Sequence, residues 1–134
     1  MRACLAVVEE ARILLVPHYL GETRDAHWLV PGGRVHFGEA LEHAALREFA
    51  EETGLQARCL GLLDVSEAPL PGPPGHIITI TYLGAVTGGS LIAEEHPRYG
   101  TKLARWFSKQ ELQALQYHPP SAVARALAAG GHSE

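Results

Sequence analysis

The chain is predicted to form a single α/β sandwich. Three observations point there. Apolar and β-branched runs lie both before and after one amphipathic helical segment, a second helical segment closes the chain, and 134 residues with 46% hydrophobic content suffice for one compact core. The domain is expected to span residues 1–134.

Ala3 to Val8 is a short apolar run bounded by Glu9-Glu10, and Arg12 to Val16 is a second, so the pair reads as two strands joined by a tight turn. Pro17 to Ala26 reads as a loop with the charged tip Glu22-Thr23-Arg24-Asp25. His27 to Val30 is a short strand ending at Pro31-Gly32-Gly33. A helix is expected from about Gly38 to Thr53, with Gly54 as its C-cap. Leu60, Leu62, Leu63 and Val65 mark a bent strand over Gln56 to Glu67, and the proline-rich run Ala68 to Gly75 a stiff loop. His76 to Val86 is the clearest strand, rich in β-branched residues, and Gly88-Gly89 is expected to break it. Leu103 to Phe107 is a last strand. Ser108-Lys109-Gln110-Glu111 has the form of a capping box opening a helix, and Pro119-Pro120-Ser121 opens another that runs to Gly130-Gly131.

Net charge is −4 and the sequence pI about 6.0, without the basic footprint of a duplex nucleic-acid binder. Two cysteines, Cys4 and Cys59, lack CxxC spacing and clustered histidines, which argues against zinc; both are expected to be buried thiols. The N-terminal run is broken by Glu9, Glu10 and Arg12 and reads as neither a signal peptide nor a membrane span. A cytoplasmic location is expected. Asparagine is absent and arginine far outnumbers lysine, a bias that thermal adaptation and a GC-rich genome would both produce.

The chemistry concentrates in Gly33 to Leu55. A helix turns about 100° per residue, so Glu48, Glu51 and Glu52 share one face. Like charges so placed repel, and Arg47, four residues from Glu51, relieves only part of it. Most Glu-rich helices are simply solvated. An all-oxygen carboxylate cluster, however, suits a hard divalent cation, and Mg²⁺ usually completes its shell with waters and substrate phosphates. Ala45, Leu46, Phe49 and Ala50 form the apolar stripe that would dock on a sheet. The loop Arg34 to Gly38 can turn backbone N–H groups toward a phosphate.

The order Gly33, five residues, Glu39, seven residues, Arg47-Glu48-Phe49-Ala50-Glu51-Glu52-Thr53-Gly54-Leu55 resembles the Nudix box, the signature of hydrolases acting on a nucleoside diphosphate linked to another group. Every fixed position matches, and Phe49 stands where an aliphatic residue is usual. The box covers 23 of 134 residues; the preceding Pro31-Gly32-Gly33 and the later Trp106-Phe107 are also typical of the family. The resemblance implies the Nudix fold, an α/β/α sandwich with a mixed sheet and a loop-helix-loop catalytic box. It implies a Mg²⁺-dependent pyrophosphohydrolase, with Mn²⁺ as the alternative cation.

It further implies Glu48 and Glu52, then Glu51, as catalytic metal ligands, the Gly33 carbonyl as a further ligand, and Arg47 as the residue that orients the glutamates. Glu39 reads as structural. The general base is a box glutamate or one from a later loop, where Glu94 and Glu95 stand, Glu95 being the catalytic candidate, with His96 beside them. Arg34, His36 and Arg98 are candidates for substrate phosphates. Tyr19, Trp28 and Tyr82 could stack a base or fill the core, and core packing is the expected use of Trp28. The substrate is expected to be a small nucleotide: a nucleoside triphosphate, ADP-ribose or another nucleotide sugar. Pro71 lies where a proline often accompanies ADP-ribose use, but neighbouring prolines make that uninformative. A homodimer is compatible with the resemblance. The competing reading is a Nudix-fold nucleotide-binding or regulatory domain without catalysis; such domains usually lose box glutamates, and here all are present.

Overall fold

The structure, a computed structural model, describes residues 1–19, 26–69, 76–96 and 100–130. Hairpin β1 (Arg2–Glu9) and β2 (Arg12–Tyr19) leads into β3 (Ala26–Leu29) and β4 (Gly32–Arg34). Helix α1 (Leu41–Thr53) follows, then the long strands β5 (Leu55–Pro69) and β6 (His76–Gly89). A small hairpin, β7 (Glu94–His96) and β8 (Gly100–Lys102), precedes β9 (Arg105–Ser108), α2 (Lys109–Leu112), β10 (Tyr117–His118) and α3 (Pro120–Gly130).

The main sheet has the order β10-β3-β2-β1-β6-β5, with β4 added to β1 and β9 to β2. It is mixed: β1 runs parallel to β6 and antiparallel to β2 and β4. Alternation along β1 divides the interior. Ala3, Leu5 and Val7 enter a core with Ala44, Ala45 and Phe49 of α1, whereas Cys4 and Ala6 enter one with Val123 and Ala126 of α3. Helices on both faces of one sheet make the expected α/β/α sandwich. Asp64 on β5, itself buried, accepts from Ser121 Oγ at 2.8 Å and faces Arg125 Nε at 3.3 Å, which fastens α3 to the sheet edge.

Several boundaries differ from the sequence expectation. α1 starts at Leu41, not Gly38, because Gly38 is left-handed (φ 79°) and Ala40 is extended (ψ 146°). β2 continues through Pro17, which pairs with Trp28, so Pro17 to Tyr19 is strand rather than loop. β6 is not broken at Gly88-Gly89: Gly88 pairs with Gln56 and Gly89 with Leu55. A Cβ on Gly89 would lie 2.5 Å from the Gly54 carbonyl oxygen, so close strand approach explains that glycine. β5 is bent by register shifts between Cys59 and Gly61 and between Leu62 and Asp64. The Glu94–Lys102 segment, read as a loop, holds the β7–β8 hairpin, and the short β4 and β10 were not anticipated. On α1, Ala44 and Thr53 are buried while Ala50 is exposed. Cys4 is buried; Cys59 is only half-buried, and both are free thiols. The capping box of α2 forms as expected. Among the described residues no helix is long and apolar enough to cross a membrane.

Glu10 and Ala11 form the two-residue β1–β2 turn with φ of 51° and 63°. Such a turn favours Asn-Gly, because a Cβ in the left-handed region costs about 1–2 kcal/mol. Ala11→Gly should therefore raise stability by about 1 kcal/mol in urea denaturation; a lower midpoint would contradict this turn geometry.

Candidate active site

The site is built where α1 meets the turn preceding it. Gly32 and Gly33 are pinned to β1 through the Gly32–Cys4 and Gly33–Ala3 pairs. The Gly32 amide donates to Glu52 Oε1 at 2.8 Å. A Cβ on Gly33 would lie 2.4–2.7 Å from the Glu48 carboxylate, so only glycine leaves that carboxylate its place. Two acidic side chains one helical turn apart thus meet the same two-residue strip of backbone. α1 ends in a left-handed Gly54 (φ 82°), whose amide donates to the Ala50 carbonyl.

Arg47 organises the opposite flank. Its Nε and Nη2 donate to Glu39 at 2.7 and 3.0 Å, Nη1 donates to Glu48 at 3.2 Å and Glu51 at 3.3 Å, and Nη2 also reaches the Arg34 carbonyl at 3.2 Å. Glu39 accepts in addition from the His36 amide at 3.0 Å and meets His43 Nδ1 at 3.0 Å. The Arg47 guanidinium, assisted by the His36 amide, holds the Glu39 carboxyl well below the usual carboxylate range. Glu39 in turn pushes Arg47 upward. Glu39 is thus a structural anchor, through which Arg47 is aimed at Glu48 and Glu51.

Glu48 and Glu52 are gathered on the glycine strip, but Glu51 is not: its carboxylate is 57% exposed and lies against Arg47. Among the described residues no three His, Cys, Asp or Glu side chains form a ready metal site. Two carboxylates gathered on the Gly32–Gly33 backbone still fit Mg²⁺, which is commonly bound by one or two carboxylates together with water and substrate phosphates. The donor set is hard oxygen throughout, unsuited to soft metals.

The remaining candidates scatter. Arg34, at the end of β4, and His36, in the loop leading into α1, are exposed. Glu95 lies on β7 and accepts from Thr101 Oγ1 at 3.0 Å. The β7–β8 hairpin approaches the site through Lys102, which lines a small cleft with Glu52, Val16 and Pro17. Arg98, Pro71 and the side chains of Tyr19, Glu94 and His96 lie outside the described residues. Trp28 packs edge-on against Phe107 at 4.8 Å, in the core as expected, and Tyr82 borders the α1 core.

One feature escaped the sequence. A cavity of about 150 Å³ lies between the sheet and the start of α3, lined by Arg2, Cys4, Leu29, Ile77, Thr79 and His118 among others. Arg2 Nη2 donates to the Gly32 carbonyl at 3.2 Å, so cavity and glycine strip share a wall. Burial, with His27 and Arg2 nearby, lowers the His118 pKa and keeps the imidazole neutral at pH 7; burial likewise pushes the Cys4 thiol up.

Because Glu39 titrates lower in the folded chain than in the unfolded one, its contribution is complete above the ordinary glutamate value of about 4.3. It is lost as pH falls through the lower folded value. Glu39→Gln should lower the urea midpoint at pH 7 and flatten the loss of stability on acidification; an acid slope as steep as the parent's would contradict the Arg47 pairing.

A family model described as NUDIX domain matches residues 1–127. An ADP-ribose pyrophosphatase of Methanocaldococcus jannaschii is 39% identical over 88 residues, 66% of this chain and 50% of that protein. A putative 8-oxo-dGTP diphosphatase of Bacillus subtilis is 36% identical over 85 residues, 63% of this chain and 52% of that protein. The chain therefore spans about half the length of these curated relatives. The crystal structure of a MutT NUDIX hydrolase from Burkholderia pseudomallei superimposes with a TM-score of 0.74 at 27% identity, covering 92% of this chain and 95% of that one. With its glycine strip, its Arg47-centred ion-pair cluster and a family model matched along nearly its whole length, the chain belongs to the Nudix family.

Proposed function

We propose that the chain is a Mg²⁺-dependent pyrophosphohydrolase that cleaves a nucleoside diphosphate linked to a further group. The observation that carries this reading is the convergence of Glu48 and Glu52 on the Gly32–Gly33 backbone. Those carboxylates and the Gly33 carbonyl would hold the metal, with Mn²⁺ as the alternative. When bound, the cation neutralises phosphate oxygens and lowers the pKa of a coordinated water. Arg47 acts on geometry, fixing Glu48 from one side while the Gly32 amide fixes Glu52 from the other, so neither carboxylate need reorganise when a substrate arrives. Glu51, exposed and held among the described residues by Arg47 alone, can swing toward metal or water. Glu51 and Glu95 are the candidates for accepting the proton of the attacking water. Arg34, His36 and Arg98 supply the cationic or hydrogen-bonding groups for the phosphate chain.

The cavity beside Arg2 is suited to the nucleoside. It is mostly apolar, sized for a flat heteroaromatic ring, and adjoins the glycine strip, so a ring inside it leaves its phosphates beside Glu48 and Glu52. The names of the relatives support a nucleotide substrate of modest size, and ADP-ribose, a nucleoside triphosphate such as an oxidised dGTP, and a nucleotide sugar are the classes to compare.

The deciding experiment measures phosphate-product release from a panel of ADP-ribose, ATP, dGTP, nucleotide sugars and dinucleoside polyphosphates with Mg²⁺. Activity on at least one is expected, abolished by EDTA and restored by Mg²⁺ or Mn²⁺. Nucleotide binding without turnover would favour a non-catalytic domain instead. Glu48→Gln and Glu52→Gln are each expected to lower turnover by about 10²-fold or more, while Arg47→Lys, which keeps the charge but loses the fork, lowers it less. Near-parental turnover in both glutamine variants would overturn the metal assignment.

A further inference from the structure

Among the described residues, the acid-bearing face of α1 has little positive charge to spare. Glu48, Glu51 and Glu52 share that face, and the substrate proposed above brings the charges of its pyrophosphate. Arg47 has no donor left for it. A guanidinium carries five N–H groups, and those of Arg47 are all engaged: Nε and Nη2 with Glu39, Nη2 with the Arg34 carbonyl, Nη1 with Glu48 and Glu51. Arg2 lines the cavity on the other face of the sheet and donates to the Gly32 carbonyl. Arg34 and His36 stand beside Gly33 and Glu39 rather than Glu52. A divalent cation offsets only part of the repulsion, and a further cationic side chain on the Glu52 flank would offset more.

Lys102 is in that place. The β2–β9 ladder ends at the Leu15–Arg105 pair, so the chain before Arg105 runs on past Val16 and Pro17. There Lys102 lines a cleft with Val16, Pro17, Ala104 and Glu52. Val16 and Ala104 belong to the α1 core, so the cleft lies on the same face of the sheet as the acids. The β7–β8 hairpin holds the position: Thr101 Oγ1, one residue from Lys102, donates to Glu95 at 3.0 Å across the ladder. Lys102 is half-buried, and Val16, Pro17 and Ala104 give its methylene stem an apolar bed from which the ammonium can reach outward.

We propose that Lys102 is a substrate-binding residue, whose ammonium takes a phosphate oxygen of the pyrophosphate beside the cation held by Glu48 and Glu52. The role rests on the pyrophosphohydrolase reading above. Lysine suits it as a compact point charge with rotatable donors, able to follow a phosphate group without demanding one orientation. Because it meets phosphate and not the nucleoside, its effect is the same for every nucleotide the chain accepts.

Calorimetric titration with methylene diphosphonate, a pyrophosphate analogue that resists hydrolysis, tests this without a nucleoside. With Mg²⁺ present, Lys102→Gln should weaken binding about tenfold or more, the loss of one charge-assisted hydrogen bond. Lys102→Arg should keep most of the affinity. In turnover, Lys102→Gln should raise KM by a similar factor for every nucleotide hydrolysed and lower kcat less. A lysine that served only to offset the charge of Glu52 would behave differently: its loss would tighten Mg²⁺ binding or lower the urea midpoint, and diphosphonate affinity would stay where it was. Unchanged diphosphonate affinity in Lys102→Gln, or a KM effect confined to one base, would overturn the proposal and leave the pyrophosphohydrolase reading intact. Failure of the parent to bind diphosphonate with Mg²⁺ would overturn both. Lys102-dependent binding in a chain that turns over no nucleotide would uphold the phosphate contact and overturn hydrolysis alone.

Discussion

The guanidinium of Arg47 is the interaction on which the site depends. Four elements would otherwise be independent: the Arg34 carbonyl at the end of β4, Glu39 before α1, and Glu48 and Glu51 on α1 itself. One planar fork reaches all four. A helix carrying Glu48, Glu51 and Glu52 on one face opposes its own folding through repulsion. Arg47 offsets that repulsion without occupying the glycine strip, because its shortest contacts are to Glu39 on the far flank. The acids therefore remain available to a cation while the helix stays folded.

The glycine strip makes the complementary contribution. Gly33 leaves room for the Glu48 carboxylate and the Gly32 amide fixes Glu52, so the two side chains are oriented by backbone rather than by other mobile side chains. Backbone paired to β1 moves only if the sheet moves. Pre-organisation of this kind is what electrostatic catalysis requires, since groups already in place need not be rearranged as charge develops.

The box was legible in the sequence because it is local: Gly33, Glu39, Arg47, Glu48 and Glu52 act through one loop and one helix whose periodicity a reader can count. Most of the α1 core was legible for the same reason, as was the existence of α3, though not the core it covers. Other features depend on pairings distant in sequence. Two- and three-residue strands such as β10 and β4 exist only because Trp28 and Ala3 lie beside them, and no local pattern announces that. Gly88-Gly89 looked like a break because glycine weakens an isolated strand; here the close approach of Gly54 requires glycine at position 89, and the strand runs through both. The cavity was invisible because Arg2, Leu29, Ile77 and His118 come from four strands. A helical stripe running to Ala50 was a local reading of periodicity; the buried face in fact runs through Ala44, Ala45, Phe49 and Thr53, which turns Ala50 to solvent.

The division of the interior by β1 has an evolutionary consequence. Ala3 and its neighbour Gly33 belong to the side that carries the acids, whereas Cys4 turns toward the cavity on the other. Adjacent residues of a single strand thus serve two separate tasks. Arg2 and Cys4 tie the cavity to the glycine strip, but cavity positions remote from that strip, such as Ala68 and Ile77, can be substituted while the carboxylates stay held, so a lineage built on this scaffold can change what the cavity admits and keep its acidic site.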